Sequence, residues 1–397
     1  MLRKVVILCG PRPGYGYCPV PPLTNSAPEK NIFRLVENEY GEGIEINVIS
    51  ACSNTQVMQL KNHQLHGNYT NIPFPEYAFE ISQSRVLNNR LINGFCKFVF
   101  GTSDLFTWVY LERAVKVVRS IDPDIIFINS LPQYIRFLRK RFPEKKLGLF
   151  QRGEMGESRK YLHLLDCIVT NSKGITGYIR QLLNDVDVVV KEIPNTLEDA
   201  YCVASKIYSP PPLKKVIYTG RVISDKGVFE LLSAFQIVQK EIADVHLKIV
   251  GGNFDGKKIS DYESKLVQYS TEKRLNVEFV GQVPNAELSH QYLNSDVAIF
   301  PSICLESFGM VALEAMRCGL PVIASRRPGF EELIVHGETG LIVDDPQDVR
   351  SLAEAMLKVL KDPQLARSMG EKGYQRSLNY TPMAAAKCFS EIVLKLV

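Results

Sequence analysis

"VAIFPSICLESFGMVALEAMRCGLPVIAS", residues 297–325, decides the fold. "VAIFPS" reads as a strand, "ICLES" as a loop and "FGMVALEAMRCG" as a helix closed by Gly319. Pro321 then prevents the helix from continuing, and "PVIAS" reads as the next strand. The strands are unbroken apolar runs rather than alternating ones, which fits burial on both faces of a parallel sheet covered by helices. The first turn of the helix carries backbone N–H groups without intrahelical acceptors and the positive end of the dipole. Gly309 leaves room for close approach, so the position suits phosphate oxygens. Glu306 precedes this anion site and Glu314 lies two turns along, among Val311, Ala312, Leu313, Ala315 and Met316. A carboxylate in such apolar company is costly without partners, and two adjacent hydroxyls, as on a ribose, would supply them. The alternative is two ordinary exposed glutamates, one of them capping the helix.

The same strand-and-helix alternation runs outward in both directions. Strands are expected at 4–10, 45–51, 124–130, 146–152, 167–172 and 188–195, and again at 214–221, 246–252, 277–283, 297–302, 321–325 and 340–345. Such alternation gives a doubly wound α/β architecture, and it occurs twice. Residues 1–200 are read as the first domain, 201–380 as the second, and 381–397 as an amphipathic terminal helix. The linker is placed in the proline-ended stretch 196–215. Residues 55–103, rich in Asn, Gln and aromatic side chains, show no clear period, and no solenoid-type repeat is seen.

A chain of 397 residues is long for one core and suits two domains. Hydrophobic residues at 45% and charged residues at 23% fit a soluble globular protein. The formal charge of +4 is compatible with an anionic substrate or lipid surface and calls for no nucleic acid. Nine scattered cysteines with no C-x-x-C spacing fit free thiols in a reducing compartment rather than disulfides or a zinc site. The apolar start stops after five or six residues, too short for a signal peptide, and no stretch approaches a membrane span. A cytoplasmic location is expected, with peripheral contact at the inner face of a membrane as an option.

A second cluster, "YTGRVISDKG" (218–227), places Arg221 and Lys226 after the first strand of the second half, at a carboxyl end where α/β sheets bind ligands. Two fixed cations can neutralise a diphosphate without a metal. Taken alone, such a pair in a loop is commonly just solvated.

"GRVISDKG" (220–227), "VGG" (250–252), "VEFVGQVP" (277–284), "PSICLESFGMVALEAMRCGLPVIAS" (301–325) and "GFEELIVHGETGLIV" (329–343) together resemble the retaining glycosyltransferases of family 4, of the GT-B fold. The E-x7-E element from Glu306 to Glu314 is their hallmark. The match covers about residues 214–345; the first half matches only in outline. The resemblance implies two Rossmann-like domains facing an interdomain cleft, with the terminal helix crossing back to the first. It implies a nucleotide-diphosphate sugar, UDP- or GDP-linked, as co-substrate, no required cofactor, and a glycan, lipid-linked or small-molecule acceptor in polysaccharide or cell-envelope biosynthesis. Arg221 and Lys226 would hold the diphosphate and Glu306 the donor-sugar hydroxyls. The amides of Ser307, Phe308, Gly309 and Met310 would cradle sugar and phosphate, and Glu314 would take the ribose. Gly281, Gln282 and Val283 would flank the base, with Gly220 and Gly252 in the same pocket. A nucleotide-sugar epimerase of this fold and a non-catalytic sugar-nucleotide-binding protein are the other readings; the first needs cleft carboxylates and histidines, of which the first half shows few.

Several positions depart from the family pattern. In "GPRPGYGYCPVPP" (10–22), Gly14 and Gly16 either let backbone approach the diphosphate or belong to a proline-rich turn. The fourth strand of the first half ends in "QRGEMGES" (151–158) without the usual His. The Arg-Gly here resembles one branch of the family, which implies that Arg152 and Gly153 face the cleft; Glu154 is a candidate aid to the acceptor, and His163, one helix further on, reads as a packing residue. "IPNT" (193–196) carries Thr196 in place of a glycine. The D-x-D matches Asp122–Asp124 and Asp185–Asp187 read as structural, and no metal is expected. "QYIRFLRKRFPEKK" (133–146) carries Arg136, Arg139, Lys140, Arg141, Lys145 and Lys146; it reads either as a surface for anionic lipid or as a solvated helix face.

Overall fold

The computed structural model describes residues 2–10, 27–37, 43–53, 56, 68–74, 105–184, 186–197, 213–252 and 260–397. Two compact units emerge: Met1–Thr196 with Pro382–Val397, and Leu197–Thr381. Gly14 and Gly16, most of 55–103 and most of the expected linker lie outside the described residues.

The first unit holds a sheet of β1 (Arg3–Cys9), β2 (Ile44–Ser53), β3 (Asn68–Phe74), β4 (Ile125–Asn129), β5 (Lys146–Gln151), β6 (Cys167–Thr170) and β7 (Val189–Glu192). Among the described residues its order is β3-β2-β1-β4-β5-β6-β7, with every pairing parallel. The helices are α1 (Ala27–Glu37), α2 (Leu105–Ile121), α3 (Ile135–Arg141) and α4 (Lys173–Leu183). Ser172 caps α4 by accepting from the Ile175 N–H at 3.2 Å, and Asn184 ends it in the left-handed region at φ 39°. Strand β3 was not legible in the sequence. It is an edge strand carrying Asn68, Asn71 and Pro73, residues that disfavour strands yet are tolerated at an edge.

The second unit repeats the plan with β8 (Lys215–Thr219), β9 (His246–Val250), β10 (Val277–Gly281), β11 (Val297–Phe300), β12 (Val322–Ser325) and β13 (Gly340–Val343). The order is β10-β9-β8-β11-β12-β13, again all parallel. Its helices are α5 (Val228–Glu241), α6 (Asp261–Glu272), α7 (Asn285–Leu293), α8 (Met310–Arg317), α9 (Pro328–Leu333), α10 (Val349–Lys361) and α11 (Pro363–Ser377). Strands β8, β11, β12 and β13 bury nearly every side chain, as continuous apolar runs require. Arg317, 1% exposed at the end of α8, donates to the Ser377 hydroxyl at 2.9 Å and carbonyl at 2.7 Å. A buried guanidinium so satisfied ties α8 to α11.

The last helix, α12 (Pro382–Leu396), belongs to the first unit. There Phe389 packs within 5.2 Å of Phe127 and 5.5 Å of Phe150, ring centre to ring centre. The strand order of each sheet reverses beside its first strand, between β1 and β4 and between β8 and β11. Doubly wound sheets bind ligands outside the strand ends at such switch points.

Candidate functional site

In the second unit the switch point brings two loops together. One runs from Gly220 to Gly227 after β8, the other from Pro301 to Gly309 after β11. The Ile303 and Cys304 N–H groups both donate to the Asp225 carbonyl, at 2.9 and 3.0 Å. Gly227 sits at φ 69°, and a Cβ there would meet the Pro301 carbonyl oxygen at 2.0 Å, so only glycine lets the loops touch. The contact lands Lys226 against Glu306: the ammonium Nζ donates to Oε1 in an ion pair. The Ser302 hydroxyl donates to the same oxygen at 2.8 Å. The side chains are only 14% and 16% exposed, so water screens the pair weakly.

The Glu306 loop is held from behind. Arg327 donates through Nη2 to the Ile303 carbonyl at 2.7 Å and through Nε to the Cys304 carbonyl at 3.2 Å. The Gly329 N–H donates to the Glu306 carbonyl at 2.9 Å, and a Cβ at Gly329 would stand 2.5 Å from the Phe308 nitrogen. Ser325 donates to the Ser302 carbonyl at 2.6 Å. Gly309, three residues after Glu306, caps α8 in the left-handed region at φ 88°, and the first amides of the helix have no side-chain cap there. The Phe308 side chain is buried, edge-on to Tyr380 at 5.7 Å, so only its backbone can meet a ligand.

The remaining sequence candidates distribute as follows. Arg221 is exposed on the same loop as Lys226, and its carbonyl accepts from the buried Tyr218 hydroxyl at 2.7 Å. Burial, with Glu306 nearby, holds that phenol protonated far above its ordinary value. Gly220, Gly252 and Gly281 end or follow β8, β9 and β10, neighbours in the sheet; Gly220 N–H bonds the Val250 carbonyl and Gly251 N–H the Gly281 carbonyl. Gln282 is exposed and Val283 packs partly on the core of the unit. Glu314 is half-buried and is met by the Tyr292 hydroxyl at 3.2 Å, so a protein group shares the burial cost that the sequence reading assigned to ribose hydroxyls alone. Tyr292, Ser302, Asp225 and Arg327 escaped the sequence reading, since nothing in their spacing marks a hydroxyl or guanidinium that positions another residue.

In the first unit, Arg152 follows β5 and donates to Asn129 Oδ1 and, at 3.0 Å, to Ser130 Oγ. Those acceptors end β4, so the guanidinium stands at strand carboxyl ends. Glu154 is exposed. His163 is exposed on a 3-10 turn rather than packed, because Leu162 and Leu165 take the inward positions. Asp124 accepts from the Lys4 N–H at 2.8 Å and Asp122 pairs with Lys145. Of the six cations in 133–146, four are in ion pairs: Arg139 and Lys146 with Asp166, Arg141 with Glu112 and Lys145 with Asp122. No helix among the described residues is long and apolar enough to cross a membrane.

Residues 205–376 match the family described as glycosyl transferases group 1. An exopolysaccharide phosphotransferase of Streptomyces coelicolor is 27% identical over 305 residues, 75% of this chain and 31% of that protein. A capsular polysaccharide biosynthesis glycosyltransferase of Staphylococcus aureus is 32% identical over 171 residues, 41% of this chain and 40% of that one. The chain thus spans less than half of either relative. HepE of Anabaena, solved in complex with UDP-glucose, superposes with a TM-score of 0.69 at 18% identity, over 99% of each chain. The architecture is that of the GT-B glycosyltransferases.

Proposed function

We propose that the chain is a retaining, family 4-type glycosyltransferase that moves a sugar from a UDP- or GDP-linked donor to a glycan, lipid-linked or small-molecule acceptor in polysaccharide or cell-envelope biosynthesis. The observation that carries this reading is the Lys226–Glu306 ion pair at the switch point of the second sheet, beside the start of α8. Its setting on a stretch that matches group 1 glycosyl transferases supports the assignment.

In this reading the diphosphate lies over the α8 amides, with Lys226 and Arg221 meeting its charge and no metal required. The bond between the anomeric carbon and the β-phosphate oxygen breaks, and negative charge grows on that oxygen. The preorganised ammonium and amides stabilise it more in the transition state than in the ground state. The acceptor hydroxyl forms the new bond on the face the phosphate leaves, and its proton passes to the departing phosphate. Glu306, fixed by Lys226 and Ser302, holds donor-sugar hydroxyls, and Glu314 the ribose. A cytoplasmic location suits a soluble donor; peripheral contact with a membrane through 133–146 would rest chiefly on Arg136 and Lys140, the two cations there outside the ion pairs above.

Incubation with a panel of UDP- and GDP-sugars tests the assignment. Release of the nucleoside diphosphate with a transferred sugar of unchanged anomeric configuration is expected. An isomerised sugar nucleotide would make the chain an epimerase, and saturable binding without turnover a non-catalytic sugar-nucleotide-binding protein.

A further inference from the structure

A buried pair of hydroxyls stands behind Glu314. Tyr292, on α7, is 0% exposed, and Thr219, the last residue of β8, is 3% exposed. Their hydroxyl oxygens are 2.5 Å apart. The Tyr292 oxygen also lies 3.2 Å from the Val311 carbonyl and 3.2 Å from Glu314 Oε2. The end of β8, α7 and α8 thus meet at one phenol.

That phenol has one proton, and the Thr219 hydroxyl, the Val311 carbonyl and Glu314 compete for it. Thr219 carries a proton of its own and can donate it to the phenol oxygen, which closes their contact without using the phenol proton. The Val311 carbonyl lies inside α8, where helix geometry gives it the N–H four residues on. A hydrogen bond to an ionised acceptor is about twice as strong as one between neutral groups, so the carboxylate takes the proton. The order Thr219 to Tyr292 to Glu314 satisfies both buried hydroxyls, and each bond in such a chain strengthens the next.

Glu314 is half-buried and accepts on Oε2 from inside the unit. A carboxylate offers about four acceptor sites, so this bond leaves capacity for a pair of hydroxyls. Its last side-chain torsion is broad when nothing holds it. A carboxylate already oriented loses less freedom when a diol arrives. Packing alone would need no proton here, since the ring of a phenylalanine fills the same space.

We propose that Tyr292 is a positioning residue for Glu314, through which the second unit distinguishes a ribose from a sugar lacking the vicinal hydroxyls. The inference rests on the transferase reading, in which Glu314 takes the ribose of the donor nucleotide.

Calorimetric titration of the full chain with UDP, GDP and their 2′,3′-dideoxy forms tests it. At least one ribonucleotide is expected to bind the unaltered protein about tenfold or more tighter than its dideoxy form, as hydrogen bonds to a charged group allow. Tyr292→Phe is expected to lower that ratio about threefold or more, with dideoxy affinity unchanged. Glu314→Gln should lower the ratio too, and Tyr292→Phe added to it should lower it no further, because the two side chains act as one unit. An unchanged ratio in a Tyr292→Phe chain that circular dichroism shows to be folded overturns the inference and leaves the transferase reading standing. Equal weakening of both nucleotide forms, the mark of a structural role, does the same. One measurement needs no change at Tyr292: its ring Cζ resonance, in chain labelled with 13C-tyrosine, is expected to shift in Glu314→Gln, and an unmoved resonance overturns the inference. A preference for ribose that is absent from the unaltered protein, or intact in Glu314→Gln, removes the ribose role from Glu314 and the inference with it. Failure of all four nucleotides to bind overturns the transferase reading itself, and with it the role of Tyr292.

Discussion

The Lys226 ammonium and the Glu306 carboxylate, 80 residues apart in the chain, close one ion pair where the strand order of the second sheet reverses. Glu306 shares the oxygen that accepts from Lys226 with the Ser302 hydroxyl. An ammonium has three protons, so pairing with Glu306 leaves it able to donate to a phosphate as well. Under the proposed function, one contact thus fixes the group that would meet the donor sugar and the group that would meet the leaving phosphate relative to each other.

Lys226→Ala and Glu306→Ala are each expected to lower transfer by at least about 10²-fold, as loss of a single preorganised electrostatic group does, while both chains stay folded. Turnover with the true donor, read beside circular dichroism, checks this. Near-normal turnover in either variant contradicts the role assigned here. Lys226→Ala is also expected to cost stability, because it leaves a carboxylate only 16% exposed without its cation.

Gly227→Ala tests the loop contact. The new Cβ would sit 2.0 Å from the Pro301 carbonyl oxygen, at a φ of 69° that side chains resist. A loss of about 2 kcal/mol or more is expected in urea unfolding of the second unit, since strained backbone and steric overlap add. An unchanged midpoint would mean the two loops do not depend on this approach.

Arg327→Met removes the bonds to the Ile303 and Cys304 carbonyls without touching Glu306 itself. Misplacement of a catalytic group by about 1 Å costs on the order of 10²-fold, so kcat is expected to fall by tenfold or more. Arg327→Lys should recover little, because one ammonium cannot reproduce the fork that spans two carbonyls. Equal kcat in the three proteins would show that the loop holds its shape unaided.

The strands were legible because burial on both faces leaves no room for polar alternation: β8, β11, β12 and β13 read directly as apolar runs. Strand β3 was not, since an edge position tolerates Asn68, Asn71 and Pro73. Lys226 and Glu306 were legible singly, each at a strand end. Their pairing is a property of topology, which joins β8 to β11 across two intervening strands in sequence. Arg327 and Tyr292 act by holding something else, and such work leaves no spacing to read.

Asp166 gives the first unit an acid-sensitive joint. Burial pushes its carboxyl up, but the Leu147 N–H at 2.9 Å, Arg139 at 2.7 Å and Lys146 at 3.1 Å outweigh that and hold it below the ordinary carboxylate value. A folded-state value below the unfolded one contributes stability that is present above about pH 4 and is lost as pH falls through the folded value. Asp166→Asn is therefore expected to lower stability at pH 7 by about 2 kcal/mol, the scale of hydrogen bonds to a charged group. The gap to the unaltered protein should begin to narrow as pH drops below about 4, where the unfolded carboxyl takes up its proton, and close as pH falls through the lower folded value. Urea unfolding of both chains at pH 7 and pH 3 decides it: a gap independent of pH would mean that the carboxylate charge contributes nothing and that only its shape is needed.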